Sequence, residues 1–209
     1  MQSHSPGDNS AHQLIEDARA MTGRRTILGI TGAPGAGKST LGSMLANALG
    51  DQAVVVGMDG FHHTNEELVR LGRRNRKGAP DTFDVHGYLA LLTRLRDDSV
   101  DIYAPVYQRG IGHSISGATR IPTTTPLVIT EGNYLLLDDG PWAQVRSLLD
   151  ECWFVEVDDS LRIERLIARH IESGKEPEAA RDWTLGPDQV NAELVAHSRN
   201  KADRVITLP

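Results

Sequence analysis

Cysteine and lysine are scarce in this chain of 209 residues, which contains one cysteine and only four lysines among its 22 basic residues. Because Cys152 has no second cysteine with which to form an internal disulfide or a cysteine-based zinc site, we expect a protein of the reducing cytoplasm. No apolar run approaches the roughly 18 residues of a membrane-spanning helix, and the polar residues 1–10 lack the apolar stretch of a signal peptide. These absences argue against secretion and against a membrane partner.

An excess of positive charge is also missing, since 28 acidic residues against 22 basic ones give a formal net charge of -6. Proteins that bind nucleic acid without sequence preference need clustered basic surface, so we expect no nucleic-acid partner and only a local anion site. The length suits one domain with a sizeable core. We therefore expect a single domain over residues 10–209, preceded by a disordered tail at residues 1–9 that is rich in Ser, Gly, Pro and Asn.

Apolar runs alternate with helical periodicities along this domain. Strands are predicted at residues 26–31, 54–56, 127–130, 153–157 and 205–208, and helices at residues 10–22, from the glycine-rich stretch to about residue 50, and at 88–96 and 160–173. Alternating strands and helices predict an α/β fold with a mostly parallel sheet that is covered on both faces. Residues 64–125 are richer in charge, glycine and proline, and we interpret them as an insertion over the strand ends.

A glycine-rich stretch lies between the first predicted strand and the helix that follows it. Residues 32–39 match the phosphate-loop pattern G-x-x-x-x-G-K-[ST] without a gap. Backbone N–H groups of such a loop converge on nucleotide phosphates, Lys38 would reach the β- and γ-phosphate oxygens, and Ser39 would offer its hydroxyl to Mg²⁺. The residues expected to bind the nucleotide are Gly32, Ala33, Pro34, Gly35, Ala36, Gly37, Lys38, Ser39 and Thr40.

Two acids, Asp59 and Glu131, follow predicted apolar strands. Because ligands of parallel sheets bind outside the carboxyl ends of the strands, we expect both acids beside the phosphate loop. Glu131 would hold the metal, directly or through water, and Asp59 would be the general base that takes the proton of an attacking hydroxyl. The alternatives are an ordinary strand-end carboxylate for Glu131 and an N-cap or turn residue for Asp59.

Arginines are grouped on the helix predicted at residues 160–173. Arg162, Arg165 and Arg169 fall on one face at helical spacing, so their guanidinium groups are expected to point the same way, toward a γ-phosphate on which charge grows. We interpret residues 160–185 as a lid, with Arg165 and Arg169 as catalytic residues. The alternative for these two arginines is a solvated helix face that pairs with nearby glutamates.

Several motifs occur in the order found in one family. They are the phosphate loop, Asp59-Gly60-Phe61, the run at residues 76–84, Ala104-Pro105-Val106-Tyr107 and Glu131-Gly132. In these motifs the chain resembles the uridine kinase, phosphoribulokinase and bacterial pantothenate kinase group of P-loop kinases, most of all its small members named fructose transport system kinases. The resemblance implies a P-loop NTPase three-layer sandwich with a five-stranded, mostly parallel sheet and a helical lid, and it implies ATP and Mg²⁺ as cofactors.

The same resemblance implies roles on the acceptor side, with residues 64–125 as the acceptor-binding insertion. Asp59 would activate the acceptor hydroxyl, Tyr107 would face the acceptor, and Arg109 is a candidate contact to the acceptor or to phosphate. Gly78 stands where uridine kinases carry an acid that holds the ribose hydroxyls, which disfavours a nucleoside acceptor. His86 is a further candidate for the acceptor pocket. The basic run at residues 70–77 either attracts an anionic substrate or forms a solvated surface.

A rival interpretation comes from residues 200–203, which read Asn-Lys-Ala-Asp and match the guanine-reading N-K-x-D motif of GTPases. In GTPases this motif follows its strand, whereas here it precedes one, so a GTPase-type switch is the less favoured alternative. We expect Asp203 near the adenine of a bound nucleotide instead. A non-catalytic nucleotide-binding protein is a third hypothesis, disfavoured because Lys38, Ser39, Asp59 and Glu131 occur together.

The sequence therefore predicts an ATP- and Mg²⁺-dependent phosphotransferase that moves the γ-phosphoryl group to a hydroxyl of a small molecule. A sugar such as fructose is the favoured acceptor, and pantothenate or a nucleoside is the alternative. No heptad pattern indicates an oligomeric state.

Overall fold

The computed structural model describes residues 10–22 and 25–208, so the predicted tail at residues 1–9 lies outside the described part. The strands are β1 (Thr26–Thr31), β2 (Ala53–Gly57), β3 (Ile102–Gln108), β4 (His113–Ile121), β5 (Leu127–Glu131), β6 (Glu151–Glu156) and β7 (Arg204–Thr207). The helices are α1 (Ala11–Ala20), α2 (Lys38–Leu49), α3 (Asn65–Arg70), α4 (Val85–Arg94), α5 (Asp159–Glu172), α6 (Pro177–Trp183) and α7 (Gln189–Ala196). Within the described ranges, no helix is long and apolar enough to cross a membrane.

Five strands form one sheet in the order β2-β5-β1-β6-β7, and every neighbouring pair in it is parallel. The prediction of an α/β fold with a five-stranded, mostly parallel sheet is confirmed. All five predicted strands are present, and β1 begins and ends at the predicted residues. These strands could be predicted because strands that are buried on both faces of a sheet are continuously apolar in sequence.

The sheet is covered by one apolar layer on each face. Alternate residues of a strand point to opposite faces, so Leu127 and Ile129 of β5 pack with Leu41 and Leu45 of α2, whereas Val128 packs in a second cluster. That second cluster contains the buried residues of α4 together with Trp142. Helix α4 is therefore part of the core, although it lies within residues 64–125.

Strands β3 and β4 form a separate antiparallel hairpin in the same segment, which the sequence did not predict. Ile102 and Ala104 are buried on one face of β3, but most of β4 is exposed, so its residues carry no apolar alternation that would mark a strand. The hairpin brings Tyr107 and Arg109 toward the carboxyl edge of the main sheet, where both line a cavity.

The register of β2, β5 and β1 determines where the acids lie. Gly57 of β2 and Ile30 of β1 are both paired with Glu131 of β5, so the three strands end at one level. The phosphate loop, Asp59 and Glu131 follow from these ends and meet at the same edge, as parallel strands require.

A buried hydrogen-bond chain links this edge to α4. Thr130 Oγ1 donates to the carbonyl of Val56 at 2.8 Å, so its only hydrogen is committed. Tyr88 Oη lies 2.6 Å from the same oxygen and must therefore be the donor of that bond. Burial raises the pKa of the Tyr88 phenol, so it remains a protonated donor. These hydrogen bonds link β2, which precedes Asp59, to β5, which ends at Glu131.

Replacing Tyr88 by Phe should lower the free energy of unfolding by about 1–1.5 kcal/mol, because a buried hydrogen bond is lost while the ring remains. Urea denaturation measures the change. Tyr103→Phe is the matched control, since that side chain is 53% exposed on β3 and its change should be close to zero. Equal urea midpoints for the Tyr88 and Tyr103 variants would contradict a stabilising role of the buried hydrogen bonds.

Candidate active site

The loop between β1 and α2 passes so close to neighbouring backbone that only glycine fits at two of its positions. A Cβ on Gly32 would lie 2.3 Å from the carbonyl oxygen of Val155, and one on Gly35 would lie 2.9 Å from that of Arg162. Gly35 also has a φ of 82°, which side chains of L-residues disfavour. The loop is thus wrapped against β6 and α5, and it leads into α2, whose first N–H groups face the loop.

Lys38, the first residue of α2, is buried within this loop. Its Nζ donates to the carbonyl oxygens of Gly32 and Ala33, both at 2.9 Å. Burial lowers the pKa of the Lys38 ammonium to about 8, while the nearby carboxylates of Glu131 and Asp59 act to raise it. The sequence-predicted lysine therefore lies on the loop's inner face as a cation with two carboxylates near it.

Ser39 and Glu131 are brought together as the sequence predicted. The hydroxyl of Ser39 donates to Glu131 Oε1 at 3.0 Å across 92 positions of the chain. Burial raises the pKa of the Glu131 carboxyl, and the charge of Asp59 adds to that effect. Bringing a cation to these oxygens would favour the ionised carboxylate.

The oxygens of Ser39 and Glu131 fit Mg²⁺. This ion prefers oxygen ligands and commonly uses one or two carboxylates together with substrate phosphates. Nowhere in the described part of the chain do three or more His, Cys, Asp or Glu side chains form a metal-holding group. A partial donor set beside a phosphate loop suits an ion that is completed by phosphate oxygens, rather than a structural metal.

Asp59 lies one turn beyond β2 and is half-exposed to the cavity. Its Oδ2 is 3.5 Å from Nη2 of Arg109, and its Oδ1 is 3.8 Å from Nδ1 of His62. Burial lowers the pKa of His62, so this ring is neutral near pH 7 and Arg109 is the charged partner. Arg109 and His62 thus lie beside the Asp59 carboxylate, which remains accessible to a second molecule in the cavity.

Two adjoining cavities meet at the phosphate loop. The first, of about 420 Å³, is lined by Asp59 and Glu131 and by the hairpin. The second, of about 650 Å³, is lined by Thr40, Arg165 and the chain-end residue Leu208. Five residues line both cavities and mark the boundary between them: Gly35, Lys38, Ser39, Arg109 and Arg169. A phosphoryl group at this boundary would be within the reach of groups from either side.

The far wall of the first cavity is built by α3, the loop after it and the hairpin. Tyr107 stacks at a tilt on His62, with 4.9 Å between the ring centroids. Lys77 lies over the Tyr107 ring, its Nζ 5.0 Å from the centroid, and it also donates to Asn65 Oδ1 at 2.8 Å. Tyr107 and Arg109 thus both reach the cavity that the sequence assigned to them.

The predicted arginine face is only partly formed. Arg165 and Arg169 line the second cavity, but Arg162 is buried beneath the loop, where its Nε donates to Asp159 at 2.7 Å and its Nη2 donates to Gln189. Helical spacing placed the three side chains on one face, yet the contact of α5 with Gly35 buries the residue at the start of that face. Burial lowers the pKa of Arg169, and the neighbouring charge of Arg109 adds to the effect.

Two sequence-based placements need correction. His86 is exposed on the outer side of α4, outside the residues that line the cavity, because the apolar face of that helix is packed in the core. Asp203 precedes β7 beside the start of β6, where its carboxylate binds Arg146 at 2.9 Å and the N–H of Cys152 at 2.7 Å. It is therefore a structural link, and Leu208, at the carboxyl end of β7, is the residue that lies beside the phosphate loop.

The structure also adds cavity residues to which the sequence gave no role. His170 Nε2 lies 2.7 Å from Oδ2 of Asp188, and both side chains line the first cavity with the buried Asn191. Asp188 ends a π-helical turn at residues Thr184–Asp188, and such turns are frequent at functional sites. Neither helical periodicity nor a motif marks a π turn, so no signal in one sequence could have found this pair.

Comparisons with known proteins agree with this geometry. The family model for the methylmalonyl Co-A mutase-associated GTPase MeaB matches residues 1–60, a stretch that contains the phosphate loop but not the far wall of the cavity. A Schizosaccharomyces pombe protein named "Putative uridine kinase C227.14" is 32% identical over 195 residues, covering 88% of this chain and 83% of that protein. The Escherichia coli protein named "Uncharacterized protein YggC" is 34% identical, covering 88% of this chain and 78% of that protein.

A solved structure extends the similarity to the whole fold. The crystal structure described as a "putative fructose transport system kinase" from Silicibacter sp. TM1040 superposes with a TM-score of 0.83 at 34% identity. The match covers 94% of this chain and 98% of that one. Similarity at 34% identity over nearly the whole length of both chains, together with the complete phosphate loop, shows the family of this chain. The chain belongs to the uridine kinase, phosphoribulokinase and pantothenate kinase group of P-loop kinases, and it is an ATP-dependent phosphotransferase with an alcohol group as acceptor.

Proposed function

We propose that this kinase transfers the γ-phosphoryl group of MgATP to a hydroxyl of a sugar-like small molecule. The observation that carries the proposal is the pair of cavities that share Lys38, Ser39, Arg109 and Arg169. One cavity has the phosphate loop and suits a nucleotide, and the other has a positioned carboxylate and suits a hydroxyl compound. The similarity to a structure named as a fructose transport system kinase supports a sugar as acceptor.

Asp59 is the residue best placed to act as general base. The acceptor hydroxyl would donate to its open carboxylate oxygen, and the hydroxyl oxygen would attack the γ-phosphorus in line. The bond from this phosphorus to the bridging oxygen breaks, ADP leaves with the electron pair, and the hydroxyl proton passes to Asp59. Arg109 orients the carboxylate from 3.5 Å.

Lys38, Arg169 and Arg165 would stabilise the charge on the phosphates. Fixed cations at the boundary would act most strongly once a closed lid excludes water from the site. Ser39 and Glu131 would hold Mg²⁺, which supplies further charge neutralisation when it is bound with the nucleotide. Residues 160–185 would close as a lid and keep water from competing with the acceptor. The pair of His170 on α5 and Asp188 on the π turn ties this segment to the cavity wall.

The cavity favours a sugar over a nucleoside. Gly78 lines the wall with no side chain that could hold ribose hydroxyls, and its carbonyl is occupied by the hydroxyl of Tyr134. We also propose that the enzyme works in a single domain in the cytoplasm, where a free, buried cysteine such as Cys152 is stable.

The proposal is tested by measuring ADP release with fructose, pantothenate and uridine as acceptors. A sugar should raise the rate above that of ATP alone, and Lys38→Ala should abolish the increase. If no hydroxyl compound stimulates ADP release while ATP still binds, the proposed function is wrong.

Replacing Asp59 by Asn should lower kcat by roughly 10²- to 10⁴-fold, because the amide cannot accept the hydroxyl proton. The dissociation constant of ATP should change little, since Asp59 lines the acceptor cavity and not the second one. Asp51→Asn is the matched control, as Asp51 is exposed before β2 at the opposite edge of the sheet. Equal losses in turnover and in ATP affinity would contradict a base.

ATP binding should take up protons at alkaline pH. With a pKa of about 8, more than half of Lys38 is neutral at pH 8.5, and phosphate charge raises that pKa, so binding protonates the amine. ATP affinity should therefore fall as pH rises through 8. Calorimetry at pH 8.5 in buffers of different ionisation enthalpy should show roughly half a proton or more taken up, and Lys38→Met should show none. The same uptake by the variant would disprove this origin.

A further inference from the structure

The basic run on the far wall of the first cavity separates into two groups by what its members contact. Arg70 is paired with Glu67 at 2.7 Å, and Arg73 and Arg76 are both paired with Asp81, at 3.2 Å and 2.7 Å. Apart from Gly78 and Asn65 nearby, the residues of this segment that line the cavity are Arg74 and Lys77. The three arginines with carboxylate partners lie outside the cavity lining.

Arg74 and Lys77 form no ion pair with any carboxylate in the residues that the structure describes. Lys77 is held by neutral groups instead, since its Nζ donates to Asn65 Oδ1 at 2.8 Å and to the carbonyl of Gly112 at 3.1 Å and lies over the Tyr107 ring. Such contacts fix the position of the ammonium without cancelling its charge. Arg74 is exposed and lies at the wall of the same cavity.

Each acid that lines the cavity already has a partner within the protein. Asp59 faces Arg109, Glu131 faces Lys38 and Ser39, and Asp188 is bound by His170. Phosphate of the nucleotide is expected at the loop, on the opposite side of the cavity from α3. The exposed carboxylate of Glu66 interacts electrostatically with Lys77 but forms no ion pair with it. Within the described residues, the far wall thus carries two positive charges that no carboxylate pairs with directly.

We infer that Arg74 and Lys77 bind an anionic group of the acceptor, so that the substrate is a hydroxyl compound bearing a carboxylate or a phosphate. The inference rests on the proposed function and narrows its substrate class. Arginine offers a planar fork of donors that matches either group, and lysine adds a point charge. A two-point grip of this kind would anchor one end of the acceptor at the wall and leave a hydroxyl at its other end for Asp59.

The partition of the run argues against a merely solvated surface. If these residues only formed a solvated surface, the presence of a carboxylate partner would be unrelated to whether a residue lines the cavity. Here the two cations without acidic partners are the two that line it. A net charge of -6 for the whole chain makes two uncompensated cations at one wall a local feature and not a general one.

The test measures ADP release at saturating ATP and compares acceptors that differ by the presence of one anionic group. The pairs are pantothenate with pantothenol, gluconate with glucose, and fructose 1-phosphate with fructose. For at least one pair, the anionic member should have a kcat/KM about tenfold or more above that of the neutral member. Whether the preferred compound is a carboxylate or a phosphate ester identifies the source of the anion.

Arg74→Gln is the decisive variant, because Arg74 has no intramolecular partner in the described chain whose loss would disturb folding. It should raise KM for the anionic acceptor by about 10- to 100-fold and leave kcat and the KM for ATP nearly unchanged, as expected for a lost charge-assisted hydrogen bond. Arg70→Gln removes the same charge from a position outside the cavity and should change every constant less than twofold.

Two results would overturn the inference while leaving the kinase activity in place. One is equal kcat/KM for neutral and anionic members of every pair, and the other is an equal effect of Arg74→Gln on both members. Failure of the proposed function has a different signature: no compound, charged or neutral, stimulates ADP release although ATP binds. In that case this inference fails with it.

Discussion

The buried ammonium of Lys38 is the group around which the site is arranged. An ammonium in a closed loop loses hydration, and its charge is stabilised by hydrogen bonds to the loop carbonyls and by two nearby carboxylates. Those carboxylates belong to β5 and to the turn after β2, so the charge balance exists only while three parallel strands end at one level. The register of the sheet and the electrostatics of the loop are therefore one constraint, and the Tyr88–Thr130–Val56 chain helps to maintain both.

Burial and neighbouring charges shift the pKa values of Lys38 and Glu131 in this site. Burial, together with the nearby charge of Asp59, raises the pKa of Glu131 and makes it harder to ionise, while burial lowers the pKa of Lys38 and makes it harder to protonate. In the proposed function, a nucleotide bound with Mg²⁺ would bring positive charge to Glu131 and negative charge to Lys38, which would relieve both penalties at once. Under this proposal, ATP together with Mg²⁺ would bind better than either one separately.

Motifs in contiguous residues and the ends of apolar strands could be predicted from the sequence, because both are local. The phosphate loop needs glycines at fixed offsets, and parallel strands bring their carboxyl ends together whatever the connections between them. The direction of single side chains could not be predicted in the same way. Arg162 shares a helical face with Arg165 and Arg169, but whether that face meets solvent or the underside of the loop depends on how α5 docks.

Asp203 was misplaced because a four-residue pattern does not say which end of its strand faces the ligand, whereas His86 was misplaced because it lies on the exposed side of α4. Asp203 lies before its strand, and in a parallel sheet the residues before a strand are at the edge away from the ligand. The same rule explains why Leu208 is at the nucleotide cavity. It also bears on the rival interpretation as a GTPase, because a guanine-reading aspartate must reach the nucleotide, whereas this one is bound to Arg146 and to the backbone of β6. The position of a residue relative to the carboxyl end of its strand therefore discriminates between kinase and switch more sharply than the four-residue match itself.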